Sequence, residues 1–400
     1  FLALILGPKV LNIIAISENW LSLYSILPGI LIVPIVASIP LGINFKQKNF
    51  KTGKNTVVIF FLFNIVVAFQ NIIGFSTNLF FEKLGIDLYR SFGWELSIGF
   101  SGGHGTAGVL GNTLRSLNLP FWEAAQGVAV TTATFGIVGG ILLGMVFINL
   151  ATKKGLLSIK KSNDQNLYNN FKKNTDQSSK NTGPFSNSDS LTFHFTLIIT
   201  ASGIAYYVLD KIKLYQLPVL SDISIWAYAI LVMFVIWWLM QKFKLDYLVD
   251  YKTKSKITAF LTEIAITAAI ISLPLKGVFK HLIPILFMVF TAFIFTYLII
   301  YYISKKYFDS NHFKNAIAIW GVNTGMFLSG LVLLRSCDPE FKTPVLTNFS
   351  LAYTAFVIFN FAILQVYLKI LLTYGALGMI IFSFILLIFY FTGLILNSKR

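Results

Sequence analysis

The chain has 400 residues, of which 56% are hydrophobic and 12% charged, with a mean hydropathy of +0.73; this excludes a soluble globular domain and defines an integral membrane protein. Its apolar runs reach about 20 residues instead of alternating in strands of about ten, which excludes a transmembrane barrel. The net charge of +16 comes from lysines in loops beside apolar spans, where they set orientation and do not read as a nucleic-acid surface, and Cys337 as the single cysteine excludes an intramolecular disulfide or a thiolate metal cluster.

Residues 1–16 are apolar from the first position, with no charged leader region or cleavage site, and predict a partial span whose start is cut short. Spans follow over 22–43 and 55–81. The segment 89–117 is different. Gly99 to Thr113 reads GFSGGHGTAGVLGNT, with six glycines in the thirteen residues 99–111. In hydrocarbon every backbone N–H and C=O must find a partner, so irregular main chain survives there only where it lines a site or is buried in protein. The segment therefore predicts a broken, re-entrant hairpin and the best candidate for a working site. Close packing of helices is the alternative for these small residues.

A span over 121–150 completes a first membrane repeat, 1–150. Residues 151–190 are rich in Asn, Ser and Lys, cannot bury a core, and predict a polar cytoplasmic linker. The second repeat, 191–400, holds spans over 191–209, 217–240, 257–273 and 282–304. A second Gly-containing interrupted segment follows, expected as a hairpin over 315–345, and then spans over 351–368 and 374–396. The pairing of one odd segment with each half points to a transporter built from structural repeats.

Lysine placement tests that topology. Were 89–117 a simple crossing, the lysine-rich loops 44–54 and 151–190 would fall on opposite sides of the membrane. As a hairpin it puts both inside, together with most of the 32 basic residues. With the second segment also re-entrant, hairpin one dips from outside and hairpin two from inside. The expected fold is thus an all-α polytopic membrane protein of inverted structural repeats, each with a re-entrant helical hairpin. An offset of 220 also aligns Gly105, Leu114, Arg115 and Ser116 with Gly325, Leu334, Arg335 and Ser336.

SGGHGTA at 101–107, followed after Pro120 by EAAQGVAVTTATFGIVGGILLG at 123–144, resembles the bacterial glutamate:sodium symporter family, and the similarity extends over most of the chain. GVNTGMFLSGLVLLRSCDPEFKTP at 321–344 is similar to a distant branch of it. Met326, Phe327 and Leu328 depart from the small residues, threonine and proline that follow the second set of glycines in the well-known carriers. The resemblance implies sodium-coupled uptake of an anionic amino acid by a homodimer in a bacterial inner membrane, with elevator-type transport domains moving past a scaffold. It implies no cofactor besides sodium as the coupling ion.

Two hairpins meeting at mid-membrane would present helix N-termini and turns of unpaired N–H groups, which bind a carboxylate without a lysine. Gly102, Gly103 and Gly105 let that carboxylate approach the backbone. With His104, Thr106, Asn323, Thr324, Gly325, Ser329 and Arg335 they form the expected substrate set. Sodium requires oxygen ligands, for which exposed carbonyls near the hairpin tips, Ser101, Thr106, Asn112, Asn323 and Thr324 are candidates, with the roles of Thr131 and Thr132 leaning on the resemblance. Several roles stay open: His104 could bind substrate, relay a proton or cap a helix end, and Arg335 could meet a second carboxylate or snorkel to the inner surface. Arg115 carries the same ambiguity on the outer side. Pairing or interfacial roles outweigh ion ligation for Glu95, Glu123 and Glu263. The four histidines, His104, His194, His281 and His312, are not spaced as metal ligands. No HExxH motif supports an enzyme, and nothing resembles a TVGYG channel filter, which leaves a channel as the weaker alternative to a symporter of glutamate or another small carboxylate.

Overall fold

The computed structural model describes residues 17–42, 50–155, 157, 187–215, 225–271, 275–308, 311–338 and 343–398. The expected span over 1–16 and most of the 151–190 linker lie outside the described residues. The described residues form twelve α-helices and no strand: α1 Glu18–Ala37, α2 Phe50–Lys83, α3 Trp94–Ser116, α4 Trp122–Lys153, α5 Asn187–Leu214, α6 Ile225–Lys242, α7 Tyr251–Ile271, α8 Leu275–Lys280, α9 Leu282–Tyr307, α10 His312–Asn323, α11 Phe327–Cys337 and α12 Val345–Ser398. Five stretches are long and apolar enough to cross a membrane: Gly53–Lys83, Trp122–Lys153, Asp189–Leu214, Leu282–Tyr307 and Val345–Asn397. Several helices outrun the apolar windows of the sequence, α4 to Lys153 and α9 to Tyr307, because the backbone keeps its helical hydrogen bonds where lysines enter the headgroup region.

Two of these helices are not rods. In α3 Gly103 has φ 67° and ψ −154°, and in α12 Gly375 has φ 63° and ψ −153°, a region of backbone space reserved for glycine. At both points the chain folds back. Thr106 Oγ1 lies 2.7 Å from the carbonyl oxygen of Ile98, residues that an unbroken helix would hold about 12 Å apart. Across Gly375, the rings of Tyr367 and Phe382 lie 5.2 Å apart, where a straight helix would separate them by about 22 Å. α12 is therefore an antiparallel pair, 345–374 and 376–398, which accounts for its 54 residues.

The described chain divides into two compact units. One comprises 30–47 and 158–265. Within it Lys254 Nζ donates to the carbonyl oxygens of Leu41 at 2.8 Å and Ile39 at 3.3 Å, and Asp250 caps α7 by accepting from the N–H of Thr253 at 2.9 Å. His194 is held structurally, Nδ1 donating to Ser190 O at 2.6 Å and Nε2 accepting from the Asp250 N–H at 2.8 Å.

The other unit, 1–29, 48–157 and 266–400, contains both interrupted segments. α4 organises it. Its exposed apolar stripe, Val138, Leu142, Val146 and Leu150, suits lipid, while Gly136, Gly140 and Gly144 recur at the same four-residue spacing on the opposite face. A Cβ on Gly136 would lie 2.3 Å from Thr324 O, one on Gly140 2.1 Å from Thr324 Oγ1, and one on Gly144 2.6 Å from Leu333 Cδ1. Only glycine lets α10 and α11 seat this closely. Earlier along α4, Gln126 packs on Gly111 and Thr132 on Gly99, so one helix runs from the mouth of the first hairpin past its tip to the second.

Candidate functional site

The first hairpin begins at Gly93, whose N–H donates to Glu95 Oε2 at 2.8 Å while Ser91 Oγ donates to Oε1 at 2.7 Å. Glu95 is fully buried and spends both oxygens on closing this entrance. At the far end of the hairpin, Arg115 lies over the Trp122 ring, 5.0 Å from its centroid, so its charge is engaged at the mouth. Glu123 and Glu263 are exposed.

The second segment, α10 and α11, turns through Thr324, Gly325 and Met326. The two helices cross where a Cβ on Gly321 would lie 2.5 Å from Gly330 Cα. Trp320 Nε1 donates to Gly140 O at 2.8 Å, and Thr324 Oγ1 donates to Trp320 O at 2.8 Å, fixing the turn to α4. Phe327, part of the departure from the family pattern, stacks on Phe349 at 5.0 Å. Its neighbour Leu328 is exposed.

The two tips meet. A methyl added to Gly103 would lie 3.1 Å from Met326 Cε and 3.4 Å from the carbonyl oxygen of Gly325. The hairpins also come from opposite ends of the 345–374 helix. Trp94, at the mouth of the first, packs on Tyr367 at 6.0 Å, and Arg90 Nε donates to Leu371 O at 3.0 Å. Phe327, at the second tip, packs near the other end on Phe349, about 27 Å away along the helix axis.

Two helices start at this junction: the arm 104–116 after Gly103, and α11 after Met326, which supplies no side-chain cap. Each start leaves backbone N–H groups without intrahelical partners and the positive end of a helix dipole. Among the candidate substrate residues, Gly102, Gly103, His104, Gly105 and Thr106 surround the first tip, and Asn323, Thr324, Gly325 and Ser329 surround the second. Nothing lies within 4 Å of where a Gly105 Cβ would stand, whereas a Cβ on Gly102 would strike Thr106 of the opposite arm at 2.2 Å. The hairpin glycines thus divide: Gly99 and Gly111 serve packing, Gly103 the bend, and Gly105 faces open space.

His104 is 8% exposed, and its Nε2 lies 3.0 Å from Thr134 Oγ1. The single Thr134 proton goes to Val130 O at 2.9 Å, so Nε2–H is the donor to Thr134. Nδ1 is then a buried lone pair with no partner among the described residues. Ser101 Oγ donates to Ser97 O at 2.6 Å, Thr131 Oγ1 to Gly127 O at 2.8 Å and Thr132 Oγ1 to Glu95 O at 2.7 Å; each keeps an oxygen lone pair. Not all of the candidates gather at the junction. Asn112 stands about 13 Å along its arm from Gly103, and Arg335, exposed, stands about 13 Å along α11 from Met326.

The sequence reading passed over Gln70 and Thr296, both buried in long apolar helices. Gln70 Nε2 donates to Asn323 O at 2.7 Å and lies 3.2 Å from Thr296 Oγ1, so α2 and α9 reach the second tip as well. The trace left in the sequence is the amide pair Gln70 and Asn71 at the centre of a stretch with mean hydropathy 2.3.

Interrupted helices that meet inside a multi-pass helical protein, with uncapped helix starts at the junction, define the architecture of a secondary transporter. The sequence match specifies which one: the chain belongs to the sodium/glutamate symporter family, whose model matches residues 5–328. This is a family of transporters and not of enzymes, and it bears out the resemblance read from SGGHGTA and the span after it. No curated protein matches the chain.

Proposed function

We propose that this protein takes up glutamate or a related anionic amino acid by sodium-coupled symport with alternating access. The observation that carries the reading is the junction of the two tips. Two uncapped helix starts there offer an anion main-chain N–H groups and the positive ends of two dipoles, in a setting where an isolated lysine would be costly. A carboxylate approaching the Gly105 face meets no side chain. The Nδ1 lone pair of His104 accepts a hydrogen bond from a substrate ammonium group, and the Thr134 contact holds the ring for it. Arg335 lies too far down α11 to take part, so recognition of a second carboxylate rests on the tips.

Hairpins arriving from opposite ends of one helix support inverted repeats, and the unit that contains both supports an elevator-type moving domain. A homodimer and a bacterial inner membrane come with the family. Radiolabelled glutamate uptake into proteoliposomes tests the reading. Uptake should require an inward sodium gradient, fall to background with potassium or choline, be inhibited by aspartate over neutral amino acids, and be lost in His104→Ala. Uptake indifferent to sodium replacement would end the symport reading. A saturable current without accumulation would favour a channel.

A further inference from the structure

Gln70 and Asn323 are both fully buried, and each ends in an amide whose orientation the backbone fixes. Gln70 Nε2 faces the carbonyl oxygen of Asn323 at 2.7 Å, and Asn323 Nδ2 faces that of Ile319 at 3.2 Å. Flipping either amide would set oxygen against oxygen, so the donors must point where they do. That leaves Gln70 Oε1 and Asn323 Oδ1 as buried oxygens with no donor among the described residues. Thr296, 1% exposed, brings a third oxygen to the network: Oγ1 is the second acceptor for Gln70 Nε2 and keeps a lone pair. Three helices, α2, α9 and α10, thus contribute to one network beside the second tip, in which two buried amide oxygens accept from no described donor.

We infer that Gln70, Thr296 and Asn323 supply ligands to the coupling cation, an inference that rests on the sodium-coupled reading. Buried oxygens need hydrogen-bond donors or a cation, and among the described residues no donor reaches Gln70 Oε1 or Asn323 Oδ1. Neutral amide and hydroxyl oxygens suit a hard cation. The site has no carboxylate, which suits a single charge that must leave again on each cycle. It also makes the second tip responsive to the ion, because Asn323 begins the turn that meets Gly103. Of the three, Asn323 is already among the sodium candidates read from the sequence, whereas Gln70 and Thr296 are not.

The test uses the full-length protein in detergent, without glutamate. Its thermal unfolding midpoint is measured in sodium chloride against choline chloride of equal ionic strength. Sodium should raise the midpoint of the unaltered protein and of Thr296→Ser, which keeps the oxygen, but not of Thr296→Val or Gln70→Leu. In proteoliposomes, the same two deficient variants should need ~10-fold or more sodium for half-maximal uptake, with the glutamate KM at saturating sodium unchanged. Should Gln70→Leu fail to fold, the Thr296 variants decide, since Thr296→Val puts one methyl in place of the hydroxyl and Thr296→Ser keeps the hydroxyl. Variants that fold normally and keep the full sodium response overturn the site, and so does a defect confined to glutamate KM. If the unaltered protein ignores sodium in both assays, the symport reading falls and takes this site with it. A sodium-responsive parent whose Thr296→Val and Gln70→Leu variants respond to sodium as it does condemns the site alone.

Discussion

The two tips that meet in this molecule are built by different means. The first bends at one residue, Gly103, in a backbone conformation that only glycine adopts freely, and Thr106 laces its arms together by hydrogen bonding. Its Gly105 faces open space. The second turns over Thr324, Gly325 and Met326, is pressed against the glycines of α4, tied to Gln70 and Trp320, and stacked on Phe349 through Phe327. One tip is a bare, polar bend with room beside it, and the other is a seated one. On the proposed reading, the first tip leaves a face open to substrate and the second is held in position by its neighbours.

The largest effect is expected where the seat is filled. Gly136→Ala would put a methyl 2.3 Å from Thr324 O, a backbone atom that cannot rotate away, and should cost about 1–3 kcal/mol of stability together with nearly all uptake. Thermal unfolding and uptake measured in parallel check this, and a fully active variant would show that the second tip is not seated on α4.

Gly103→Ala and Gly375→Ala form the next comparison. Both force an L-residue into the same strained backbone, at about 1–3 kcal/mol, and should lower the unfolding midpoint alike. Only the first should abolish glutamate binding in the protein that remains folded, as read by ligand-induced stabilisation. Equal loss of binding in both would make the bend a general scaffold element and the tip nothing special. The smallest change is Gly105→Ala. With no atom in the way, and alanine favoured over glycine in a helix by up to about 1 kcal/mol, the fold should be unharmed or firmer. Its glutamate KM should nonetheless rise, because the added methyl covers the open face.

Much of the first tip was legible in the sequence because its chemistry is dense and local. Glycine, serine, threonine and histidine crowd into a few residues where lipid tolerates only a purpose. The second tip was fainter, since Asn323 to Gly325 is brief and Met326 and Phe327 stood out only as a departure from the family pattern, with the stacking of Phe327 on Phe349 visible only in the structure. The glycines of α4 were quoted only as part of the family resemblance, and their four-residue spacing gives a stripe but never the neighbour it faces. Gln70 and Thr296 are single polar residues in different apolar helices, and nothing local says that they converge on Asn323. Asn112 and Arg335 illustrate the opposite failure: proximity in sequence to a hairpin does not put a side chain at its tip, because every helical residue adds about 1.5 Å of distance.

The bare face of α4 has a mechanical consequence. Long side chains on both sides of a joint can absorb a displacement by changing rotamers, but a joint in which one side is bare glycine main chain, closed against backbone at Gly136 and against packed side chains at Gly140 and Gly144, has less such slack. The first hairpin grips α4 through Gly99, Gly111 and His104, and the second through Thr324 and Leu333, so a push on either loop is delivered to its companion almost undamped. On the alternating-access reading proposed above, the pair and their shared strut would move together as one cassette.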